Sequence, residues 1–276
     1  MPDSGDALIV TAADQAYADL LRGLISSLRR QATVHRIAVI DLGLTETTKE
    51  WLRTQSVDVV HGRWLFPFPG QDSVPRYLMA MTARPYLPSL FESAKTIVWI
   101  DSDAWVQDGR TIDMLLAGAA ESDMAIAAEI DRAYGIHADG GTYIGWLAGI
   151  YRQIYGPEAL PPGRLPPPLI NCGVFAARRD SAVWQLWQDE YRRLGERIAH
   201  FFAEQIALNV VLYSKGLRPT LLPATCNWLV KFAKPIIRDG TLCSPHYPHE
   251  KIGIVHLAGI EDKLTSRWRY GAGNMF

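Results

Sequence analysis

The chain has 276 residues, of which 48% are hydrophobic and 21% charged, with 28 lysines and arginines against 29 aspartates and glutamates. This composition is typical of a globular protein with a sizeable core and excludes a disordered or fibrous chain. Its net charge of −1 provides no overall field that would attract nucleic acid, so an anionic ligand has to be bound by local groups.

The cysteines and the apolar segments indicate the compartment. Cys172, Cys226 and Cys243 are odd in number and widely spaced, which indicates neither a disulfide framework nor a cysteine zinc site. The first residues carry two acids and no basic flank, unlike a secretory signal, and no apolar run approaches the roughly 18 residues that a membrane helix needs. We therefore expect a cytoplasmic protein.

The segment near the C-terminus mixes basic and aromatic side chains, namely Lys263, Arg267, Trp268, Arg269 and Tyr270. Such a mixture occurs both in polar terminal tails and in segments that touch a membrane surface. We favour the polar tail and keep peripheral membrane contact as the alternative.

Short apolar runs alternate with stretches of helical periodicity, which predicts one α/β domain over residues 1–276 with a mostly parallel, Rossmann-like sheet and helices on both faces. The predicted strands are Ala7–Thr11, Ile37–Ile40, Val57–Val60, Ile97–Ile100, Met124–Ala128, Leu169–Ala176, Thr220–Leu222, Trp228–Phe232 and Ile252–Leu257. The predicted helices are Tyr17–Leu28, Thr45–Arg53, Arg76–Ala83, Ile112–Leu116, Trp146–Tyr155, Ser181–Leu194 and Phe202–Leu212. We expect Thr47 and Glu50 to form a capping box and Ser181 to cap its helix.

The segment from Ala133 to Pro168 interrupts this alternation. It is rich in glycine and proline, and its one predicted helix is Trp146–Tyr155. A loop of this length in a compact domain is usually either a functional lid or disordered.

Two aspartates, Asp101 and Asp103, follow the apolar run Ile97–Ile100 directly. They fall at the carboxyl end of a predicted strand, where open α/β sheets hold their ligands. Two neighbouring carboxylates repel each other and are costly to desolvate unless a cation lies between them. Oxygen ligands favour a hard divalent ion such as Mg²⁺ or Mn²⁺. The alternative is that Asp101 caps a turn and Asp103 is solvated.

Other polar residues also stand at strand ends or inside strands. Glu129 and Asp131 follow the fifth predicted strand, and His256 ends the last one. The small polar run Asn171-Cys172-Gly173 lies inside a strand, which predicts a backbone that another group approaches closely.

The run Ile-Asp-Ser-Asp at 100–103 resembles the D-x-D motif of GT-A glycosyltransferases, and its companions resemble the retaining enzymes of family 8, the glycogenin and lipopolysaccharide galactosyltransferase group. The resemblance extends from about Leu8 to Lys263 as short motifs in the family's order. It implies a GT-A fold and a metal-dependent transfer of a hexose from a UDP-sugar, with retention of anomeric configuration. It also implies that Asp101, Asp103 and His256, the last in H-L-A-G, bind the metal.

The resemblance also implies a donor-binding set. In A-A-D-Q-A-Y, Asp14 would hydrogen-bond the uracil and Tyr17 would stack on it, although Ala16 stands where the family has asparagine. Lys263 would contact phosphate, but it comes one residue later than in the family and no Pro-Trp follows. The implied donor-binding residues are Asp14, Tyr17, Arg84, Asp101, Ser102, Asn171, Gly173, Gly259 and Lys263.

At the reacting carbon, E-Q-I-A-L-N resembles the family's D-Q-x-x-L-N and implies that Glu204 and Gln205 are catalytic, with Asp131 touching sugar or acceptor. Imidazole ligation favours Mn²⁺ over Mg²⁺. The acceptor would be a saccharide, a lipid-linked sugar or a protein, with residues 133–168 shaping its pocket.

Three alternatives remain open at this point. A catalytically silent nucleotide-sugar-binding or scaffold protein would share the fold. A D-x-D phosphatase is also considered, although its D-x-D-x-[TV] pattern has Trp105 at the last position here. Individual residues also have structural interpretations: Arg84 on the surface, Tyr17 in the core, and His256 as a structural histidine.

Overall fold

The computed structural model describes residues 7–31, 34–135, 141–161, 163–260, 263, 269–270 and 273–274. Within them the strands are β1 (Ala7–Ala13), β2 (Arg36–Asp41), β3 (Val57–His61), β4 (Thr96–Ile100), β5 (Ala104–Val106), β6 (Ala125–Ala128), β7 (Ile170–Arg178), β8 (Thr220–Leu222), β9 (Trp228–Leu229), β10 (Ile236–Arg238), β11 (Thr241–Cys243), β12 (Ile254–His256), β13 (Arg269–Tyr270) and β14 (Gly273–Asn274). The α-helices are α1 (Ala18–Arg30), α2 (Glu46–Thr54), α3 (Leu78–Ala83), α4 (Leu87–Leu90), α5 (Arg110–Glu121), α6 (Thr142–Tyr155), α7 (Val183–Arg192) and α8 (Ala203–Ser214).

Seven strands form the central sheet of the described chain, in the order β3-β2-β1-β4-β7-β6-β8. All neighbours are parallel except β7, which runs antiparallel to both β4 and β6. The reversal brings the beginning of β7 to the edge where β1, β2, β4 and β6 end. This edge therefore collects polar residues from five strands.

The central strands are mostly apolar on both faces, as expected for a sheet that helices cover on both sides. In β4, Ile97 and Trp99 pack into one core with α6, α7 and α8, whereas Val98 and Ile100 pack into a second core with α1, α2 and α5. The predicted α/β class with a mostly parallel sheet is confirmed.

A second, smaller sheet lies beyond the end of β4, in the order β5-β12-β9. β12 pairs antiparallel with β5 and parallel with β9, so that His256 lies opposite Ala104 on one side and Leu229 on the other. Since β5 begins right after Asp103, the small sheet brings β12, and with it His256, next to the end of β4.

Several local predictions differ from the structure. The Thr47–Glu50 capping box does not form, because Thr45 has extended backbone angles and its hydroxyl accepts the N–H of Thr48. The strand expected at 228–232 ends at Leu229, where a turn closes through the Phe232 N–H and the Leu229 carbonyl. Ser181, the predicted N-cap, lies one residue before the observed N-cap Ala182, although its hydroxyl accepts the N–H of Val183 at 3.3 Å.

The described part of the 133–168 segment contains α6, which begins four residues before the predicted helix. The helix buries Leu147, Ile150 and Ile154 in the core, so this part of the segment is packed structure. Arg267 and Trp268 of the basic and aromatic tail lie outside the described residues. Within the residues that the structure describes, no helix is long and apolar enough to span a bilayer.

Candidate active site

The site is centred on the turn between β4 and β5. The Asp101 N–H donates to the Gly173 carbonyl at 2.7 Å, and the Ala104 N–H donates to the Asp101 carbonyl at 3.0 Å. His256 enters from β12, with its Nε2 atom 3.2 Å from Asp103 Oδ1 and 3.7 Å from Asp101 Oδ2. One ligand atom of each of these three side chains lies within 4.8 Å of the other two.

A chain of amides sets the tautomer of His256. The Asn227 Nδ2 group donates to Asn171 Oδ1 at 2.9 Å, which leaves Asn227 Oδ1 to accept from His256 Nδ1 at 2.8 Å. The Nδ1 atom therefore carries the proton, and the buried Nε2 atom directs its lone pair at Asp101 and Asp103 without a hydrogen-bond partner. An orphaned imidazole nitrogen facing two carboxylates is the arrangement of a metal ligand oriented by its neighbours.

Glycine at position 173 makes room for this histidine. A Cβ atom built on Gly173 would lie 2.1 Å from His256 Cε1 and 2.9 Å from Asp101 Oδ2. The close approach expected at Asn171-Cys172-Gly173 is therefore made by the His256 imidazole, which comes from β12 of the small sheet.

Lys263 connects the aspartates to the opposite wall. Its Nζ atom lies 2.6 Å from Asp103 Oδ2 and donates to the Tyr17 hydroxyl at 3.0 Å, 4.9 Å from the centroid of that ring. Burial opposes ionisation of Asp103, but the adjacent His256 imidazole and the charged Lys263 outweigh burial and lower the pKa of Asp103. Tyr17 is 37% exposed, contrary to its interpretation as a core residue, and Asp14 caps its turn by accepting the Tyr17 N–H.

A buried charge network lies beneath the turn. Arg84 is 6% exposed, so its interpretation as a surface arginine is wrong. Its guanidinium donates to Glu204 Oε2 at 2.9 Å and to Asp101 Oδ1 at 2.5 Å, and the Trp99 indole N–H donates to the same Asp101 oxygen at 2.7 Å. Burial raises the pKa of Glu204 to about 7, although Arg84 opposes this shift.

The two acids after β6 point in different directions. Glu129 is 2% exposed and accepts from Asn171 Nδ2 at 2.9 Å and from the Tyr143 hydroxyl at 3.0 Å. Burial and Glu129 raise the pKa of Tyr143, which keeps its hydroxyl a donor. Asp131, predicted to be catalytic, instead accepts the Ala133 N–H at 2.8 Å and does not line the site.

These elements enclose a cleft of about 330 Å³. Its walls bring together all the other predicted site residues, namely Asp14, Tyr17, Arg84, Asp101, Ser102, Asp103, Asn171, Gly173, Glu204, Gln205, His256, Gly259 and Lys263. Glu204 Oε1 and Gln205 Nε2 are buried atoms without a hydrogen-bond partner among the described residues. Buried polar atoms are normally paired, so these two unpaired atoms, one acceptor and one donor, distinguish this part of the cleft wall.

Sequence reasoning missed several residues of the site. Asn227 directly follows a short 3-10 turn, so it belongs to no periodic pattern or motif that would identify it. Phe201, Phe202 and Lys231 also line the cleft, and they lie in loops outside the strands and α-helices. Asn209, the last residue of E-Q-I-A-L-N, is structural: its amide accepts the Ile170 N–H and donates to the Pro168 carbonyl.

No protein-family model matches the sequence, and no curated protein matches it. Solved structures do match in fold. The galactosyltransferase LgtC in complex with donor and acceptor sugar analogues matches with a TM-score of 0.57 and 16% identity, over 92% of this chain and 87% of that one. An active-site mutant of LgtC matches with a TM-score of 0.56 and 15% identity, over 91% and 87% of the two chains.

The glycosyltransferase GlyE of Streptococcus pneumoniae TIGR4 matches with a TM-score of 0.57 and 16% identity. That match covers 97% of this chain and 58% of the GlyE chain, so GlyE has a large part with no counterpart here. At these identities the similarity establishes the fold, which is the predicted glycosyltransferase GT-A fold.

Proposed function

We propose that this protein is a metal-dependent glycosyltransferase that moves a hexose from a UDP-sugar to an acceptor with retention of configuration. The observation that carries the proposal is the buried His256 Nε2 lone pair aimed at Asp101 and Asp103 at the carboxyl end of β4. This donor set suits Mn²⁺, and less well Mg²⁺, because it combines hard oxygens with an imidazole. When bound, the ion supplies Lewis-acid neutralisation of the charge that develops on the leaving diphosphate.

The wall formed by β1 and the turn after it is assigned to the nucleoside. The exposed ring of Tyr17 offers a stacking face, and Asp14 lies beside it in the cleft lining. Lys263 stands between this ring and Asp103, within reach of both the base and the diphosphate. Its ammonium group would move from Asp103 to phosphate oxygens when the donor binds.

The opposite wall is assigned to the transferred sugar. Glu204 Oε1 and Gln205 Nε2 lack partners, and sugar hydroxyls satisfy both an acceptor and a donor. Arg84 neutralises Asp101 and Glu204, which keeps these two acids from repelling the donor phosphates. We place Gln205 and Glu204 behind the anomeric carbon, and Glu129, in place of Asp131, at the far end of the sugar.

A second candidate is a nucleotide-sugar-binding protein of the same fold without transferase activity. The observation that favours it is the contact between Lys263 Nζ and Asp103, which already supplies a cation to one proposed metal ligand. The D-x-D phosphatase is not supported, because Trp105 stands at the last position of its D-x-D-x-[TV] pattern. Cytoplasmic location, membrane contact through the tail and the single-domain organisation stay predictions of the sequence.

The test is calorimetric titration of UDP and of GDP, each with Mn²⁺, Mg²⁺ or EDTA, into the wild type and Asp103→Ala. We expect metal-dependent UDP binding that weakens by roughly a hundredfold in Asp103→Ala, since losing a ligand costs at least as much as losing its supporting group. Asp113→Ala, on the exposed face of α5, is the matched control.

Release of UDP from UDP-galactose, UDP-glucose and UDP-N-acetylglucosamine then separates the two candidates. Slow hydrolysis of one donor supports the transferase, whereas UDP binding without hydrolysis or transfer supports the silent protein. Absence of nucleotide binding with every metal would overturn both.

A further inference from the structure

The order of the strands determines which strands border each side of the cleft. The metal-ligand turn follows β4, with β1 and β2 on one side of it and β7 and β6 on the other. If the nucleoside lies over β1, the sugar and whatever receives it lie over β7 and β6. This step rests on the proposed function.

Aromatic side chains are concentrated on that second side. Phe201 and Phe202, just before α8, line the cleft, and Trp146 of α6 packs edge-on against Phe202 with ring centroids 5.2 Å apart. Phe201 also packs edge-on against Phe202, at 5.0 Å. We call Trp146, Phe201 and Phe202 the aromatic rim.

The rim is unusually open to solvent for such large apolar groups. Phe201 is 54% exposed and Trp146 is 39% exposed. Single exposed hydrophobic residues are ordinary, but a contiguous apolar patch that borders a cleft marks an interaction surface.

The rim is also held in place. The His200 Nδ1 atom accepts the Phe202 N–H at 3.1 Å, and its Nε2 atom is 3.1 Å from Gln153 Oε1 on α6. The loop before α8 is therefore tied to the helix that carries Trp146. A recognition surface on such a support keeps its shape before the ligand arrives.

The cleft below the rim contains hydrogen-bonding groups. Gln205 Nε2 lacks a partner, and Tyr143, 5.5 Å from the Trp146 ring, bonds the buried Glu129. The site thus offers flat apolar surfaces at its mouth and hydrogen-bonding groups beneath them. A pyranose ring has the matching pattern, with an apolar C–H face and hydroxyl groups at its edge.

We infer that the aromatic rim is the acceptor subsite and that the acceptor presents a hexopyranoside ring, which stacks on Phe201 and Trp146. In the transfer, an acceptor hydroxyl oxygen forms the new bond to the anomeric carbon. The bond from that carbon to the diphosphate oxygen breaks, UDP keeps the electron pair, and the hydroxyl proton leaves with UDP.

The experiment measures transfer and hydrolysis in parallel on one enzyme preparation. Methyl α- and β-glycosides of galactose, glucose and N-acetylglucosamine are the acceptor probes, with the UDP-sugar that the wild type hydrolyses as donor. Phe201→Ala, Trp146→Ala and the conservative Phe201→Tyr are compared with Tyr247→Ala. Tyr247 is 83% exposed and does not line the cleft.

We expect Phe201→Ala and Trp146→Ala each to raise the acceptor KM about tenfold, which corresponds to about 1.4 kcal/mol. Phe201→Tyr should restore the wild-type value, and Tyr247→Ala should match it. Saturation-transfer NMR with the same glycosides should show the sugar C–H protons receiving magnetisation, with the signal lost in Phe201→Ala.

Two results would overturn the inference while leaving the proposed function intact. One is an unchanged acceptor KM in both alanine variants. The other is a wild type that binds UDP with metal but neither transfers to nor shows saturation transfer with any of the pyranosides, particularly if it binds phosphatidylcholine–phosphatidylglycerol vesicles through Phe201. Absence of UDP binding would instead refute the proposed function itself.

Discussion

The floor and the mouth of the same cleft are built in opposite ways. The floor, formed by Arg84, Asp101, Glu129, Asn171, Glu204 and His256, is mostly buried and its side chains hold one another through hydrogen bonds and ion pairs. The mouth, formed by Tyr17 and the aromatic rim, exposes large rings to solvent and has few polar contacts.

The difference indicates separate roles for the floor and the mouth of the cleft. In the proposed function the charged groups of the floor face a diphosphate and a reacting carbon, and they are fixed before the substrate arrives, because reorganising them during the reaction would cost free energy. Rings at the mouth give up little when they bind, since their fixed shape leaves few rotamers to lose. Stability should therefore depend on the floor and recognition on the mouth.

The largest expected effect comes from breaking the floor. Arg84→Met removes the partner of the buried Glu204 and one partner of Asp101, and loss of one member of a buried ion pair costs about 3–5 kcal/mol. Arg36→Met is the matched control, because the Arg36–Asp58 pair is more than half exposed and such pairs contribute less than about 1 kcal/mol. Urea unfolding measures both, and equal losses would contradict a stabilising floor.

A smaller effect is expected from the titration of Glu204. Its pKa is raised by burial from 4.5 to about 7, so the folded protein holds this proton more tightly than the unfolded chain does. The stabilising contribution is complete below pH 4.5 and is lost as the pH rises to about 7. Between pH 5 and 8, the free energy of unfolding should fall in the wild type relative to Glu204→Gln, by on the order of 2–3 kcal/mol.

The measurement is urea unfolding of both proteins at intervals across that range, in EDTA. Parallel profiles for the wild type and the variant would mean that Glu204 keeps the same charge throughout. The floor would then be an ion pair that does not titrate in this range.

The smallest effect separates the two acids after β6. Glu129→Gln replaces one of the two accepting oxygens by an NH2 donor, so that either Asn171 Nδ2 or the Tyr143 hydroxyl loses its acceptor, at a cost of roughly 1–2 kcal/mol. The KM for the UDP-sugar should rise about tenfold, whereas Asp131→Asn should leave it within about twofold. Steady-state kinetics measures both KM values. A larger rise in Asp131→Asn than in Glu129→Gln would contradict this assignment and return Asp131 to the site.

Asp101 and Asp103 could be recognised as candidate metal ligands from the residues themselves, whereas the family resemblance implied His256. Asp101, Asp103 and His256 each end or follow an apolar strand. The apolar run indicates where the strand ends, so a polar residue at that position can be located in the fold. The helices that bury one face were likewise predictable from their period, with errors at their ends.

Other features depend on contacts that no local pattern records. The choice between Glu129 and Asp131 depends on the turn after β6, because both acids follow the same strand and Asp131 accepts the Ala133 N–H within that turn. The direction of β7 was equally hidden, because the long segment before it allows either pairing, and Asn227 contributes only through its tertiary position.

The small sheet has a consequence for the order in which the molecule assembles. The contact between Lys263 and Asp103 joins residues 160 positions apart in sequence, and the pairing of β12 with β5 has a similar span. Contacts of this range form late because the intervening chain loses entropy when it closes. Asp103 thus reaches its place before the histidine and the lysine that balance it, whereas Asp101 has its partners Arg84 and Trp99 close by in the sequence. We therefore expect ligand binding only after the whole chain has folded.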